Sequence, residues 1–215
     1  GNSDAYYYGR ATHLMASDVR YMNDSSELRF GAGIIRRHLH AAAADTTLDI
    51  ELREAFARVA ATLDPDRLHQ WPWQCFVACF CGNGDLLSQW NGYAGGTGGY
   101  SIGFPINVLA DHTNEIHLAA NGMIYDMPFP TALERVRYGP DAAETHAEEL
   151  ITFLTKEWRE GQFFADLDGR PTRSIGVIAL RALATLKHDA FAAEKERRLT
   201  GVKTTEHPPP TRPRP

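Results

Sequence analysis

The residue types and spacing that could do chemistry lie near the end of the chain, at Glu194, Glu196 and Arg198. On a β-strand, alternate residues point to one face, so these three side chains would lie together. Neighbouring carboxylates repel each other unless a cation compensates, and such arrangements shift carboxylate pKa values in active sites. Local propensity instead favours a solvated helix, because Ala, Glu, Lys and Arg dominate residues 191–199. A ladder of surface salt bridges is another interpretation of the same residues.

A second group of candidate residues lies in a glycine-rich stretch, CFCGNGDLLSQWNGYAGGTGGYSIGF, at residues 79–104. An apolar strand is expected to end at Cys81, and Asp85 can cap a short helix that carries Trp90 and Tyr93. The glycines that follow let the backbone approach a ligand closely and place both aromatic rings beside the opening. The alternative is a flexible connection whose aromatic side chains fill the core.

Composition limits the classes of protein to which the chain can belong. The chain has 215 residues, of which 43% are hydrophobic, and this suits one domain with a substantial core. A formal net charge of −5 does not favour a broadly basic nucleic-acid surface, although a local basic groove is compatible with it. No stretch approaches the roughly 18 uninterrupted apolar residues that cross a bilayer, so no membrane partner is expected.

Three cysteines, Cys75, Cys79 and Cys81, occupy alternating positions of one predicted strand and would point to the same face. Positions i and i+2 of a strand have poor disulfide geometry, and the odd number favours reduced thiols. We therefore expect a cytoplasmic protein. The usual Cys-x-x-Cys spacing of zinc sites is absent, so no metal is expected.

The elements that must position these residues follow from the apolar periodicity. Helices are predicted for residues 25–39, 47–63, 141–160 and 172–186. Strands are predicted for residues 75–81, 100–104, 122–125 and 134–138. The pattern indicates an α+β fold in a single domain over residues 1–202, with a small central β-sheet flanked by helices. Residues 203–215 are predicted to be a disordered, proline-rich tail.

Three ordered blocks of residues carry a resemblance to a known family. The first contains Leu14-Met15-Ala16-Ser17, Tyr21-Met22-Asn23-Asp24 and Glu27-Leu28. The second contains Cys79-Phe80, Asp85-Leu86-Leu87, Trp90, Tyr93-Ala94, Gly99 and Ile102-Gly103-Phe104. The third contains Lys187-His188, Phe191, Glu194, Glu196 and Arg198. Together the blocks resemble the bacterial domain-of-unknown-function 2971 family.

The chain departs from that family pattern in two places. Cys81 stands where a serine is commoner, and the Tyr/His-Tyr-Thr strand expected before the first block is reduced to Ala5-Tyr6-Tyr7-Tyr8. The sequence also begins with Gly1 rather than Met. An amino-terminal strand is therefore expected to be missing or divergent.

The resemblance makes the chain from Glu194 onward a strand, and the order of the blocks looks like the ADP-ribosyltransferase architecture. That likeness implies NAD as a cosubstrate, with Glu194 and Glu196 as catalytic residues. It also implies an aromatic platform at Trp90 or Tyr93, and His13 is the nearest candidate for holding the NAD ribose. An NAD-consuming enzyme in a defence or toxin system is the expected function.

The three blocks are expected to converge on one cleft. Asn23, Asp24, Glu27 and Arg198 would then join the residues that bind the nucleotide or another small molecule. The Asn23-Asp24 pair has a simpler interpretation, because Asx residues before a helix form turns and caps.

Two other functions stay open on the same residues. A non-catalytic sensor or interaction module would use the cleft to bind a nucleotide or a partner. A metal-dependent nuclease would place Asp24, Glu27, Glu194 and Glu196 around Mg²⁺. The acidic balance, and the lack of a lysine on the strand face that carries the acids, count against the nuclease.

Overall fold

The structure is a computed structural model. It describes residues 16–22, 25–94, 98–111, 117–120, 123–126, 131–161 and 171–204. His13, Asn23 and Asp24 of the predicted site lie outside these residues, as does the sequence after Thr204.

Six α-helices lie in the described part of the chain. They are α1 (Ser25–Ala44), α2 (Ile50–Thr62), α3 (Leu87–Tyr93), α4 (Ile106–Asp111), α5 (Gly139–Arg159) and α6 (Pro171–Leu183). The four helices predicted from apolar periodicity correspond to α1, α2, α5 and α6, and these predictions are confirmed. None of the described helices combines the length and the apolar character needed to cross a bilayer.

Eight strands lie in the same part of the chain. They are β1 (Ser17–Asp18), β2 (Trp73–Phe80), β3 (His117–Ala120), β4 (Met123–Asp126), β5 (Thr131–Arg135), β6 (Arg137–Tyr138), β7 (Leu186–Lys187) and β8 (Arg197–Thr204). The main sheet is antiparallel, with strand order β1-β2-β8-β5. β3 and β4 form a separate antiparallel pair, and β6 and β7 form a short parallel pair.

One hydrophobic core joins the helices to the main sheet. Trp73, Cys75 and Val77 alternate along β2 and are all buried, as expected for a strand with one face on the core. Helix α6 crosses this strand very closely at Gly176, where a Cβ atom would come within 2.1 Å of the Trp73 ring. Only glycine fits at that position. The small sheet and its flanking helices confirm the α+β prediction.

The C-terminal stretch is a turn followed by a strand, and not the helix that propensity favours. The resemblance implied a strand from Glu194 onward, but the strand begins at Arg197 and Glu194 ends the turn before it, so Glu194, Glu196 and Arg198 do not lie on one strand. A 3₁₀ turn spans Asp189–Glu194, and Lys195 adopts a left-handed conformation with a φ of 45°. β8 pairs with β2 on one side and with β5 on the other, and these two ladders outweigh a weak preference for helix. β8 also includes Lys203 and Thr204, which the sequence pattern assigned to the tail.

The strand predicted at residues 100–104 is wrong. The structure places these residues in a segment without regular secondary structure and without a strand partner among the described residues. Gly98, Gly99 and Gly103 weaken a strand, and Pro105 has no backbone N–H to donate, so the apolar side chains Ile102 and Phe104 do not suffice to form one.

Candidate functional site

An open cleft of about 690 Å³ lies where the carboxyl-terminal end of β2 meets the turn before β8. α1, β7 and α3 complete its walls. Glu27, Tyr93, Glu194 and Glu196 line it, although they are far apart in the sequence. The fold therefore brings residues of all three sequence blocks to one cavity.

Backbone contacts fix the turn that carries the two C-terminal glutamates. The N–H of Gly82 donates to the carbonyl oxygen of Glu194 at 2.9 Å. The N–H of Glu196 donates to the hydroxyl oxygen of Tyr138 at 2.7 Å, and its carbonyl oxygen accepts from Val136 at 3.0 Å. Both glutamate side chains line the cleft, whereas Lys195 between them does not.

Arg198 is buried behind the cleft and orients two carboxylates. Its Nε donates to Glu196 Oε1 at 2.8 Å, and its Nη2 donates to Glu27 Oε2 at 3.2 Å. Its Nη1 donates to the carbonyl oxygen of Ala184 at 2.7 Å. Only 2% of the residue is exposed, so this guanidinium is a fixed internal charge.

Lys187 lies at the centre of an acidic cluster formed by Glu27, Glu194 and Glu196. Its Nζ lies 2.8 Å from Glu194 Oε2, 3.0 Å from Glu196 Oε2 and 3.4 Å from Glu27 Oε1. The ammonium also lies 4.6 Å from the centroid of the Phe191 ring, in a cation–π contact. One lysine thus contacts all three glutamates that line the cleft.

The charges of this cluster shift the pKa values of Glu196 and Lys187 toward their ionised forms. Burial alone would raise the pKa of Glu196, but its hydrogen bond to Arg198 and the charges of Arg198 and Lys187 hold that pKa below its ordinary value. Burial would lower the pKa of Lys187, but the carboxylates of Glu194, Glu196 and Glu27 raise it. Glu196 is therefore a carboxylate at neutral pH, and it can accept hydrogen bonds or stabilise positive charge.

Two thiols, those of Cys79 and Cys81, line the cleft, and the pKa of each is raised. Burial and the nearby Glu196 raise the pKa of Cys79 to about 12. Burial and Glu194 raise the pKa of Cys81. Cys75, on the same strand, is fully buried in the core, and none of the three cysteines is in a disulfide. Because the thiolate is the nucleophile, the raised pKa values mean that neither thiol is activated for attack.

The two aromatic residues of the predicted platform take different places. Tyr93 lies at the rim of the cleft with 76% of its surface exposed. Trp90 faces a neighbouring cavity, and its Nε1 donates to Asp85 Oδ1 at 2.9 Å. Gln89, on the same helix α3, donates to Glu194 Oε1 at 3.2 Å. α3 is thereby tied to the acidic cluster.

The sequence model of one protein family matches about half of this chain. The sequence model of the family described as "Protein of unknown function (DUF2971)" matches residues 89–199. The chain belongs to this family. No curated protein and no solved structure matches it. The DUF2971 match spans the residues from Gln89 through Leu199, and so it contains Lys187 and both C-terminal glutamates of the cleft.

Five of the predicted site residues meet in this DUF2971 chain. Glu27, Tyr93, Glu194 and Glu196 line the cleft, and Arg198 holds Glu196 from behind. Trp90 lies in the adjoining cavity. The catalytic and binding roles of these residues stay predictions.

Sequence reasoning missed Lys187, Gln89 and Tyr138 as parts of the site. Lys187 belongs to the third block, but a site lysine is expected from the sequence only on the strand that carries the acids. It comes instead from β7, which follows α6. Its contact with Glu27, on a helix near the start of the chain, has no signal in the spacing of either residue.

The three glutamates of the DUF2971 cleft surround the ammonium group of Lys187. No group of three or more His, Cys, Asp or Glu residues is arranged for a metal ion within the described parts of the chain. Lys187 stands where the three carboxylates converge. A divalent cation would have to displace it.

Proposed function

We propose that this DUF2971 protein is an NAD-consuming enzyme of the ADP-ribosyltransferase type. The observation that carries the proposal is the pair Glu194 and Glu196, which face one open cleft with the exposed ring of Tyr93 at its rim. Glu196 is held ionised and in a fixed orientation by Arg198. A carboxylate prepared in this way stabilises positive charge without reorganising during the reaction.

The proposed chemistry breaks one bond and forms one bond. The bond between the nicotinamide nitrogen and ribose C1′ breaks, and its electron pair leaves with nicotinamide. The positive charge that develops on the ribose is stabilised by the carboxylate of Glu196. A nucleophile, either water or an acceptor group, then bonds to C1′ and loses its proton to Glu194 or to solvent. Tyr93 would stack on the nicotinamide ring.

The two glutamates differ in their freedom to act. Both oxygens of Glu196 accept from Arg198, and one also accepts from Lys187, so this side chain serves as a fixed charge. Glu194 accepts from Gln89 and Lys187 and has 14% of its side chain exposed. Glu194 is therefore the better placed of the two to orient an incoming nucleophile.

A non-catalytic binding module is the second candidate, and one specific observation favours it. All three glutamates of the cleft are paired with Lys187 or Arg198, so the cluster is largely neutralised within the protein. A network of this kind can have a structural role alone, in which it rigidifies the wall of a ligand cavity. A metal-dependent nuclease is supported less, because Lys187 occupies the point where the acids converge.

The test is an assay for nicotinamide release and for transfer of label from NAD, run with and without a chelator. We expect Glu196→Gln to lower turnover by about 100-fold while NAD affinity changes little, because the substitution removes the charge that stabilises the transition state. Glu194→Gln should lower transfer to an acceptor more than NAD hydrolysis. Glu148→Gln, an exposed glutamate on α5, is the matched control.

The outcomes separate the candidates. NAD binding without nicotinamide release would favour the binding module. Cleavage of nucleic acid that needs no NAD and disappears with the chelator would support the nuclease. Equal turnover in the wild type and in Glu196→Gln would contradict the proposed mechanism.

A further inference from the structure

A second cavity, also of about 690 Å³, adjoins the cleft that is lined by Glu27, Glu194 and Glu196. We call that first cleft the acidic cleft. The two share the end of β2 and the side chains of Gln89 and Tyr93 as a common wall. The second cavity lies between α3 and the segment of residues 98–104. We call it the aromatic cavity, because its lining includes Phe80, Trp90, Tyr93, Tyr100 and Phe104.

Contacts between the segment and the rest of the domain build this cavity. The ring of Phe104 packs edge-on against Phe80, with 5.8 Å between the ring centroids. Gly84 lies so close to Ser101 that a Cβ atom would come within 2.6 Å of the serine Oγ. Gly98 has a φ of +87°, a backbone conformation that favours glycine.

Trp90 presents a fixed ring to the aromatic cavity. Its indole N–H is used by Asp85, which sets the orientation of the ring. Gly99 packs against that ring, because a Cβ atom at this glycine would lie 3.5 Å from it. Tyr100 is 98% exposed, so its ring can move onto a ligand at little packing cost.

The aromatic cavity differs from the acidic cleft in charge. None of the described residues that line it is charged. The sequence agrees, since no Asp, Glu, Lys or Arg occurs between Leu86 and Ala110. The adjoining cleft contains Glu27, Glu194 and Glu196 around Lys187. A neutral ring can enter the aromatic cavity without displacing a charged side chain from its lining, although the carboxylate of Asp85 accepts from Trp90 nearby. A cationic ring gains instead from the acidic cleft, whose three glutamates outnumber Lys187 and Arg198 by one charge.

We propose that the aromatic cavity is a binding site for an uncharged planar ring. The identification of that ring as the adenine of a dinucleotide rests on the function proposed above. NAD has a ring of each kind: its nicotinamide is cationic and its adenine is neutral. The charges of the two cavities would then set the orientation of the dinucleotide, with the cationic ring in the acidic cleft and the neutral ring beside Trp90.

The test uses two small probes and the full chain. Adenosine is a neutral planar ring, and 1-methylnicotinamide is a cationic one. Their affinities are measured by calorimetry for the wild type, Trp90→Ala, Tyr100→Ala and Glu194→Gln. Phe153→Ala is the control, because Phe153 is an exposed aromatic residue on α5 that contributes to neither cavity.

We expect Trp90→Ala and Tyr100→Ala each to weaken adenosine binding, by about tenfold or more for Trp90, because each removes a stacking surface. Both should leave 1-methylnicotinamide binding within about twofold, while Glu194→Gln should weaken only 1-methylnicotinamide. Tyr100→Ala keeps the test valid if Trp90→Ala fails to fold, because the tyrosine is almost fully exposed.

Two outcomes would overturn the proposal: adenosine fails to bind, or it binds the two aromatic variants as tightly as the wild type. Adenosine binding that depends on Trp90 and Tyr100, in a protein that neither binds nor cleaves NAD, would support the site and overturn the proposed function instead.

Discussion

At the scale of single residues, Lys187 decides what the acidic cleft can do. Without a cation between them, the carboxylates of Glu194 and Glu196 would repel each other. The ammonium of Lys187 lies 2.8 and 3.0 Å from the two carboxylates and compensates their charge. The catalytic proposal requires two ionised acids and therefore depends on a lysine that is itself no reactant.

Lys187→Met is expected to lower the free energy of unfolding by about 3–5 kcal/mol, because it leaves buried carboxylates without their partner. Lys187 is 7% exposed, so solvent cannot replace the lost charge. Chemical denaturation at neutral pH measures the loss. Lys156→Met, which removes an exposed lysine of α5 paired with Glu160 just beyond the helix, should change stability by less than about 1 kcal/mol. Equal effects of the two substitutions would contradict this account.

The lowered pKa of Glu196 predicts how stability depends on pH. A carboxyl group with a lower pKa in the folded state stabilises the protein above its unfolded-state pKa, about 4.3, and this contribution is lost as the pH falls through the folded-state pKa. The stability advantage of the wild type over Glu196→Gln should therefore shrink on acidification below about pH 4.3. Denaturation curves at a series of pH values test this. An advantage that grows toward acid pH would mean that Glu196 is protonated in the folded protein.

At the scale of elements, the sequence predicted best what depends on local periodicity. The apolar stripes of α1, α2, α5 and α6 repeat at helical spacing, and burial of those stripes then follows. β8 was harder, because Glu, Lys and Arg before it favour helix while its central position between β2 and β5 makes it a strand. The resemblance to the family predicted a strand here, whereas residue propensities predicted a helix.

The site itself was predictable only in part, for reasons of distance along the chain. Glu194, Glu196 and Arg198 stand together in the sequence, so their proximity could be expected. The contacts of Lys187 and Arg198 with Glu27 span most of the chain, and no local pattern encodes them. The error at residues 100–104 has another origin, since alternating apolar residues resemble a strand even where glycine and proline prevent pairing.

The position of α3 predicts a difference between two tryptophans. Trp90 is only half-buried, and it lines a cavity, so Trp90→Ala should lower stability by clearly less than about 3 kcal/mol. Trp71 is 1% exposed in the core and donates from its Nε1 to the carbonyl oxygen of Asp64. Trp71→Ala should therefore cost about 3–5 kcal/mol. Thermal melts compare them. A similar loss for both would show that Trp90 is a core residue rather than an open platform.

At the scale of the whole molecule, the acidic cleft depends on the main sheet, because β8 follows directly on the turn that carries Glu194 and Glu196. β2 and β8 pair from Phe80↔Arg197 at the cleft to Trp73↔Thr204 at the far end. The helices cover the sheet and close the core at Trp73, so the far end of this ladder is anchored there. Loss of β8 would release both the core and the turn that carries Glu194 and Glu196.

Truncation from the carboxyl end of the chain shows how much of β8 the fold requires. The residues beyond Thr204 are rich in proline and polar side chains, and such a composition buries little apolar surface, so a chain ending at Thr204 should keep the stability of the full chain. A chain ending at Val202 loses only the last two pairs of the β2–β8 ladder, Gln74↔Lys203 and Trp73↔Thr204, and should fold with a small loss. A chain ending at Leu199 also loses Thr200 and Gly201, which pair on both sides, and Val202, which is buried in the core. It should not fold. Circular dichroism and thermal melts of the three chains decide, and a failure of the chain ending at Thr204 would mean that the following residues are docked on the domain.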